Sequence, residues 1–136
     1  MKSINPYLFF PGNCEKAIQF YKECLGGEVT ALQRFGDTQM PVEENYKDKI
    51  MHAELTVNEQ VVLMFSDGAP FKEIALGDNV HLTLSFDNED EQTKIYDALV
   101  KDGVATMELQ DTFWGARYGM LTDKFGVKWQ LNLSRS

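Results

Sequence analysis

Only two histidines occur among the 136 residues, and one of them, His52, stands two positions before Glu54. In an extended strand, residues i and i+2 share a face. An imidazole and a carboxylate are therefore set side by side on the polar side of Met51–Val57. Where the fold brings His81 to the same concavity, the three make a ligand set able to hold zinc or iron. The plainer alternative for His52 and Glu54 is hydrogen bonding within a polar strand face, and for His81 a satisfied place in a pocket wall. Arg117 lies between Trp114 and Tyr118. A guanidinium flanked by aromatics suits a planar anionic or aromatic ligand, although packing of Phe113 and Trp114 at a strand start accounts for them equally well. Cys14 and Cys24 have no histidine beside them in sequence and are read as structural. The tyrosines form no pattern that implies a nucleophile or a base.

The elements that must position these side chains can be read from periodicity. Ile4–Phe10 is a strand-like run stopped by Pro11-Gly12, with Asn13 placed to cap a helix. Cys14–Leu25 carries Ala17, Ile18, Tyr21 and Leu25 on one helical stripe and ends at Gly26-Gly27. Strands are expected at Glu28–Phe35, Lys49–Val57 and Gln60–Ser66, with the polar loop Gly36–Asp48 as a lid, a pocket wall or a mere connection. The same order then recurs after about 75 residues. Val80–Phe86 is a strand, and Asp87 or Asn88 caps the helix Glu89–Lys101, whose stripe is Ile95, Ala98 and Leu99. Gly103 stops that helix, and Val104–Leu109, Ala116–Thr122 and Val127–Leu133 are strands. The pattern is βαβββ twice, about 1–68 and about 78–136, within one domain spanning 1–136.

Two four-stranded units with one helix each must bury one sheet face under that helix. The apolar positions Val80, Leu82, Leu84 and Phe86, like Val127, Trp129, Leu131 and Leu133, belong beneath it. His52, Glu54, Thr56, His81, Thr83, Gln130 and Asn132 then line the opposite, concave side. The fold class expected is α+β, two βαβββ modules with helices on one side of curved mixed sheets that form a concave pocket.

Composition limits the function. At 43% hydrophobic and 25% charged residues, the chain is an ordinary soluble domain, long enough to bury roughly two-thirds of its unfolded surface without staples. No apolar run reaches the ~20 residues of a membrane span. No long apolar stretch marks the N-terminus for export, and two cysteines are too few for a disulfide framework, which together fit a cytoplasmic protein. The net charge of −8 disfavours nucleic acid or a membrane surface as partner. The acidic patch Asp87–Glu91 serves solubility and a helix start.

Four segments carry a resemblance over nearly the whole chain. They are Pro11–Tyr21, Met51-His52-Ala53-Glu54-Leu55, Phe113–Gly119, and Leu121-Thr122-Asp123-Lys124-Phe125-Gly126-Val127-Lys128-Trp129-Gln130. Together they resemble the vicinal oxygen chelate superfamily, which includes glyoxalase I, bleomycin- and fosfomycin-resistance proteins and extradiol dioxygenases, and within it the PhnB-like branch. That branch often bears a demethylubiquinone methyltransferase-like label, yet the sequence shows no glycine-rich strand-to-helix fingerprint of a nucleotide-type cofactor. The resemblance implies a homodimer, a small organic ligand and one divalent metal (zinc, iron, manganese or nickel) that polarises vicinal oxygens. Its four ligand positions fall on Pro6, Met64, His81 and Gln130. Proline cannot ligate and a thioether is a soft donor, so only His81 keeps a good ligand type, with His52 and Glu54 as substitutes. Two functions follow. One is a metal-dependent lyase, isomerase, transferase or dioxygenase. The other is a metal-free protein that sequesters a ligand, as bleomycin-resistance proteins do. Ligand-binding positions expected on either reading are His52, Glu54, Trp114, Arg117, Tyr118 and Gln130.

Overall fold

A computed structural model describes residues 1–70 and 73–135. The chain forms two compact units, Met1–Ala75 and Leu76–Ser136. The first contains strands β1 (Tyr7–Phe9), β2 (Glu28–Arg34), β3 (Ile50–Asn58) and β4 (Val61–Ser66), with helix α1 (Cys14–Leu25) after β1. The second contains β5 (Leu82–Phe86), helix α2 (Glu89–Val100), β6 (Val104–Asp111), β7 (Ala116–Thr122) and β8 (Lys128–Ser134). The sheet orders are β1-β4-β3-β2 and β5-β8-β7-β6. In each, the outermost first strand pairs in parallel with the fourth, and the remaining pairs are antiparallel. The expected duplication is thus present at the level of strand order and direction. The class is α+β, with mixed sheets that do not close on themselves.

In the first unit, Ala53, Leu55, Leu63 and Phe65 are buried together with Ala17, Ile18 and Tyr21 of α1. Tyr21 stacks on Phe65 with centroids 5.9 Å apart. Each large side chain so buried contributes roughly 1.5–3 kcal/mol. In the second unit the equivalent layer is Leu121, Trp129, Leu131 and Leu133 under Tyr96 and Leu99 of α2. Both helices end in the same device. A Cβ on Gly27 would meet the backbone of Thr56 in β3, and one on Gly103 the backbone of Thr122 in β7. Only glycine lets the chain pass that close to the third strand.

Several sequence expectations shift. β1 is three residues long, because its parallel pairing is confined to Met64–Ser66, and Ile4 is exposed. Val80 lies outside β5 and is exposed rather than covered by α2. Asn13 makes no side-chain cap to α1; the Cys14 amide is instead taken by Asp67, just beyond β4. In α2 the buried stripe is Gln92, Tyr96 and Leu99, with Ile95 and Ala98 half-buried. Counting apolar residues alone rotates the helix, because Gln92 and Tyr96 bury polar atoms that find partners in the sheet. Asn88 caps α2 by accepting from the Glu91 amide, as the spacing predicts.

Candidate functional site

Alternation along β3 and β4 sends Ala53, Leu55, Leu63 and Phe65 toward α1. His52, Glu54, Thr56 and Met64 therefore point to the open face. Cross-strand pairing sets Glu54 beside Met64, and Met64 beside Tyr7 of β1. The Tyr7 phenol oxygen lies 2.8 Å from His52 Nδ1, and His52 Nε2 lies 2.8 Å from Glu54 Oε2. Three polar side chains, one from β1 and two from β3, are thus joined end to end over β4. All three are partly accessible, His52 and Glu54 at 30% and 31% and Tyr7 at 39%. Phe9, two residues on from Tyr7, shares that face and stacks on its ring with centroids 5.0 Å apart at 28°. Partial burial pushes the Tyr7 phenol above its ordinary range, a hydrogen bond with Ser66 works against this, and the Glu54 charge adds to the rise.

The register corrects one expectation. The residue beside Met64 on the open face is Tyr7; Pro6 precedes the strand, and its carbonyl accepts from the Met64 amide at 3.0 Å. One residue of slip reverses the face. The sequence pattern assigned Tyr7 no role, although counting back two from Phe9 puts it on the same side as Phe9.

In the second unit Gln130 stands on the open face of β8, between Thr83 of β5 and Met120 of β7. His81 lies just before β5. Its Nε2 donates to the Asp78 carbonyl at 3.1 Å, and its Nδ1 faces the Gln130 amide nitrogen at 3.5 Å. A carbonyl only accepts, so Nε2 carries the hydrogen of that bond. Tyr118 and Met120 share this open face, and burial raises the Tyr118 phenol.

Arg117 and Tyr118 are adjacent in β7 and point to opposite faces. Arg117 turns to the helix side, where Nη1 donates to Gln92 Oε1 at 2.9 Å and Nε pairs with Glu89 at 3.2 Å. The structure does not bring its guanidinium together with Tyr118 on one face. Trp114 packs edge-on against both Phe113 and Tyr118, and both Phe113 and Trp114 are exposed in the β6–β7 hairpin. In the first unit, Met40, Pro41, Val42 and Tyr46 of the long loop wall a cleft with Ala69 and Pro70.

Within neither unit do the described residues assemble three or more His, Cys, Asp or Glu side chains around one point. In the first unit, His52 Nε2 and Glu54 Oε2 bond each other directly, and a tetrahedral metal holding both would space them at roughly 3.4 Å. The inherited positions supply one thioether there, and one imidazole and one amide in the second unit. As the sequence already implies, those donors do not reproduce the superfamily's ligand set.

Residues 3–131 match the family model described as Glyoxalase/Bleomycin resistance protein/Dioxygenase superfamily. Protein YjdN of Escherichia coli K12 is 30% identical over 140 residues, covering 96% of this chain and 94% of its own. Protein PA1353 from Pseudomonas aeruginosa superposes with a TM-score of 0.89 at 38% identity, with both chains fully covered. A Bacillus cereus structure described as a putative 3-demethylubiquinone-9 3-methyltransferase, PhnB protein, gives 0.81 at 27% identity, covering 98% of this chain and 100% of its own. The duplicated βαβββ order, the open polar faces and these matches agree: the chain belongs to the glyoxalase/bleomycin resistance protein/dioxygenase superfamily.

Proposed function

We propose that the protein binds a small organic molecule against the open face of its first sheet. It holds that molecule by hydrogen bonds and aromatic contact, without a metal at the superfamily's four ligand positions. The observation that carries this reading is the chain Tyr7–His52–Glu54, which spends both imidazole nitrogens on protein partners. Phe9 and Met64 supply apolar surface beside it. The reading stands closer to a metal-free ligand-binding member than to a metal-dependent enzyme. Methyl transfer, named for the Bacillus cereus relative, is not carried over, since Gly26-Gly27 closes α1 instead of opening a helix after a strand. A homodimer, as the resemblance implies, in the cytoplasm, as the two cysteines and the polar N-terminus suggest, completes the proposal; a monomer in light scattering at micromolar concentration would remove the dimer.

A thermal-shift screen of small aromatic and polar compounds tests the reading. A true ligand at a hundredfold excess over Kd adds ~2.7 kcal/mol to stability. That gain should shrink in Phe9→Ala and Met64→Ala. Ligands whose effect ignores both substitutions place the site elsewhere. Stoichiometric metal in protein purified without chelator, lost in His81→Ala, would overturn the metal-free part.

A further inference from the structure

We infer that the first unit carries a second binding site, the cleft between the 35–49 loop and Ala69-Pro70, and that it takes a small organic ammonium with an apolar body. The inference is independent of the open-face reading, since the walls of this cleft include none of Tyr7, Phe9, His52, Glu54 or Met64.

The loop can serve as a wall because its backbone closes on itself. The Phe35 amide donates to the Lys49 carbonyl at 3.0 Å and the Gly36 amide to the Lys47 carbonyl at 2.9 Å, which brings the two ends of the loop together. Short 3₁₀ segments, Phe35–Asp37 and Glu44–Tyr46, shape those ends. Tyr46 then fastens the loop to the chain beyond β4. Its hydroxyl donates to the Gly68 carbonyl at 2.8 Å, and its ring packs against Phe35 with centroids 5.1 Å apart. Burial first, and the Asp67 charge second, raise the Tyr46 phenol, so the hydroxyl keeps the proton that this bond uses. Pro41 on one wall and Pro70 on the other have fixed φ. A cleft of about 760 Å³ built in this way has the size of a small-molecule site, and its walls need little ordering when a ligand enters.

The walls select the ligand. Met40, Pro41, Val42 and Pro70 present apolar surface, and Tyr46, its hydroxyl already spent, offers its ring. Among the described residues that line the cleft, Glu43 alone carries a charge. The neighbouring Glu44 pairs with Lys47 at 2.8 Å, whereas no ion pair among the described residues takes up Glu43. A carboxylate at the border of an apolar cleft attracts a cation and repels an anion, and the net charge of −8 acts in the same direction. An aromatic ring and a thioether are polarisable surfaces suited to the carbon atoms beside an ammonium. The side-chain carbonyl of Asn45, also in the wall, can accept one of its N–H groups. An anion finds no comparable pull across Tyr46. The adjoining cleft there contains Lys49, but its ammonium is taken by the Gly12 carbonyl at 2.8 Å, and Asp67 and Glu73 line the same space.

The test uses the full chain with 13C-labelled methionine and alanine methyl groups. Its probes are 3-phenylpropylammonium, 3-phenylpropanol and 3-phenylpropionate, which share a phenyl body and differ in the charge of the end group. The ammonium should shift the Met40 and Ala69 methyl signals. It should bind about three- to fivefold tighter than the alcohol, the pull of one partly exposed ion pair, with the carboxylate weakest. Glu43→Gln should bring ammonium and alcohol within about twofold and leave the affinity for the alcohol alone. Glu44→Gln removes the same charge outside the wall and should keep the preference. Val42→Ala should weaken ammonium and alcohol by the same factor. Equal affinity for all three probes overturns the ammonium class. A preference that survives Glu43→Gln, or that falls equally in Glu44→Gln, overturns the assignment to this carboxylate. Met40 and Ala69 signals unmoved at millimolar concentration overturn the site, and movement at Met64 in the same spectra would leave the open-face reading standing.

Discussion

Asp67 and Cys14 are joined by a buried hydrogen bond. The carboxylate Oδ1 accepts from the Cys14 amide at 2.9 Å, while Oδ2 takes the Ile50 amide at 2.8 Å. One side chain, 3% exposed, thus ties the first turn of α1 and the start of β3 to the end of β4. These are the strands that carry His52, Glu54 and Met64. Truncating it strands two buried donors, each worth ~1–3 kcal/mol. Asp67→Ala should therefore lose about 2–4 kcal/mol in urea unfolding, and Asp67→Asn, which keeps one acceptor, visibly less. Equal losses for both would show that the carboxylate is not used twice.

Arg117 gives a prediction that separates structure from binding. Its guanidinium bonds Gln92, whose amide donates to the Arg117 and Leu131 carbonyls at 2.9 and 3.2 Å. Gln92 is fully buried, so Gln92→Ala should cost about 2 kcal/mol by leaving those carbonyls and the guanidinium short of a partner. Arg117→Ala should cost ~1–2 kcal/mol and leave ligand affinity at Tyr7 and Phe9 unchanged. A large affinity loss with intact stability would return Arg117 to the binding surface.

The architecture was legible because two kinds of spacing survive in the chain. Helical spacing at Ala17, Ile18 and Tyr21 and alternation at Met51–Val57 each name a buried face, and the repetition of both after the glycine stops fixes the duplicated plan. The open-face position of His52 and Glu54 follows from that alternation alone. What periodicity could not show is partnership across distance. Asp67 reads as a turn residue, and Gln92 as a polar gap in a stripe. Tyr7 is one more aromatic in an apolar run until parallel pairing with Met64 sets its register. Arg117 illustrates the converse error. Neighbours in sequence share a ligand only when they share a face, and one step along a strand separates them.

The two cysteines should differ sharply in reactivity. Cys14 is fully buried, and burial first, then the Asp67 and Glu15 charges, push its thiol far above the ordinary range. Cys24 is half-buried. In native protein a thiol reagent should modify Cys24 readily and Cys14 on the order of a thousandfold more slowly, at a rate set by local opening. Denaturant should equalise them. Fast native labelling at Cys14, located by peptide mass, would contradict the buried, protonated state.

Glu15 provides the pH dependence. Its carboxylate accepts from Arg34 Nη1 and Nη2 at 3.0 and 2.7 Å, and those bonds hold its carboxyl below the usual carboxylate range. A depressed native value means that the pair stabilises the fold above the unfolded-state pKa of about 4.3, and that the contribution fades as pH falls through the lower native value. The Glu15 side chain is 63% exposed, so solvent screening limits the pair to at most ~1 kcal/mol. Arg34 also donates to the Asp48 carbonyl at 2.7 Å, a bond indifferent to the ionisation of Glu15. Glu15→Gln is therefore the cleaner variant. It should be slightly less stable than the parent near neutral pH, by no more than about 1 kcal/mol, and the gap should shrink as pH falls below the unfolded-state value of about 4.3. Added salt should narrow the neutral-pH gap as well, since the pair is screened. A difference that persists unchanged from neutral pH down to strongly acid conditions would mean that Glu15 acts through packing on α1 and not through its charge.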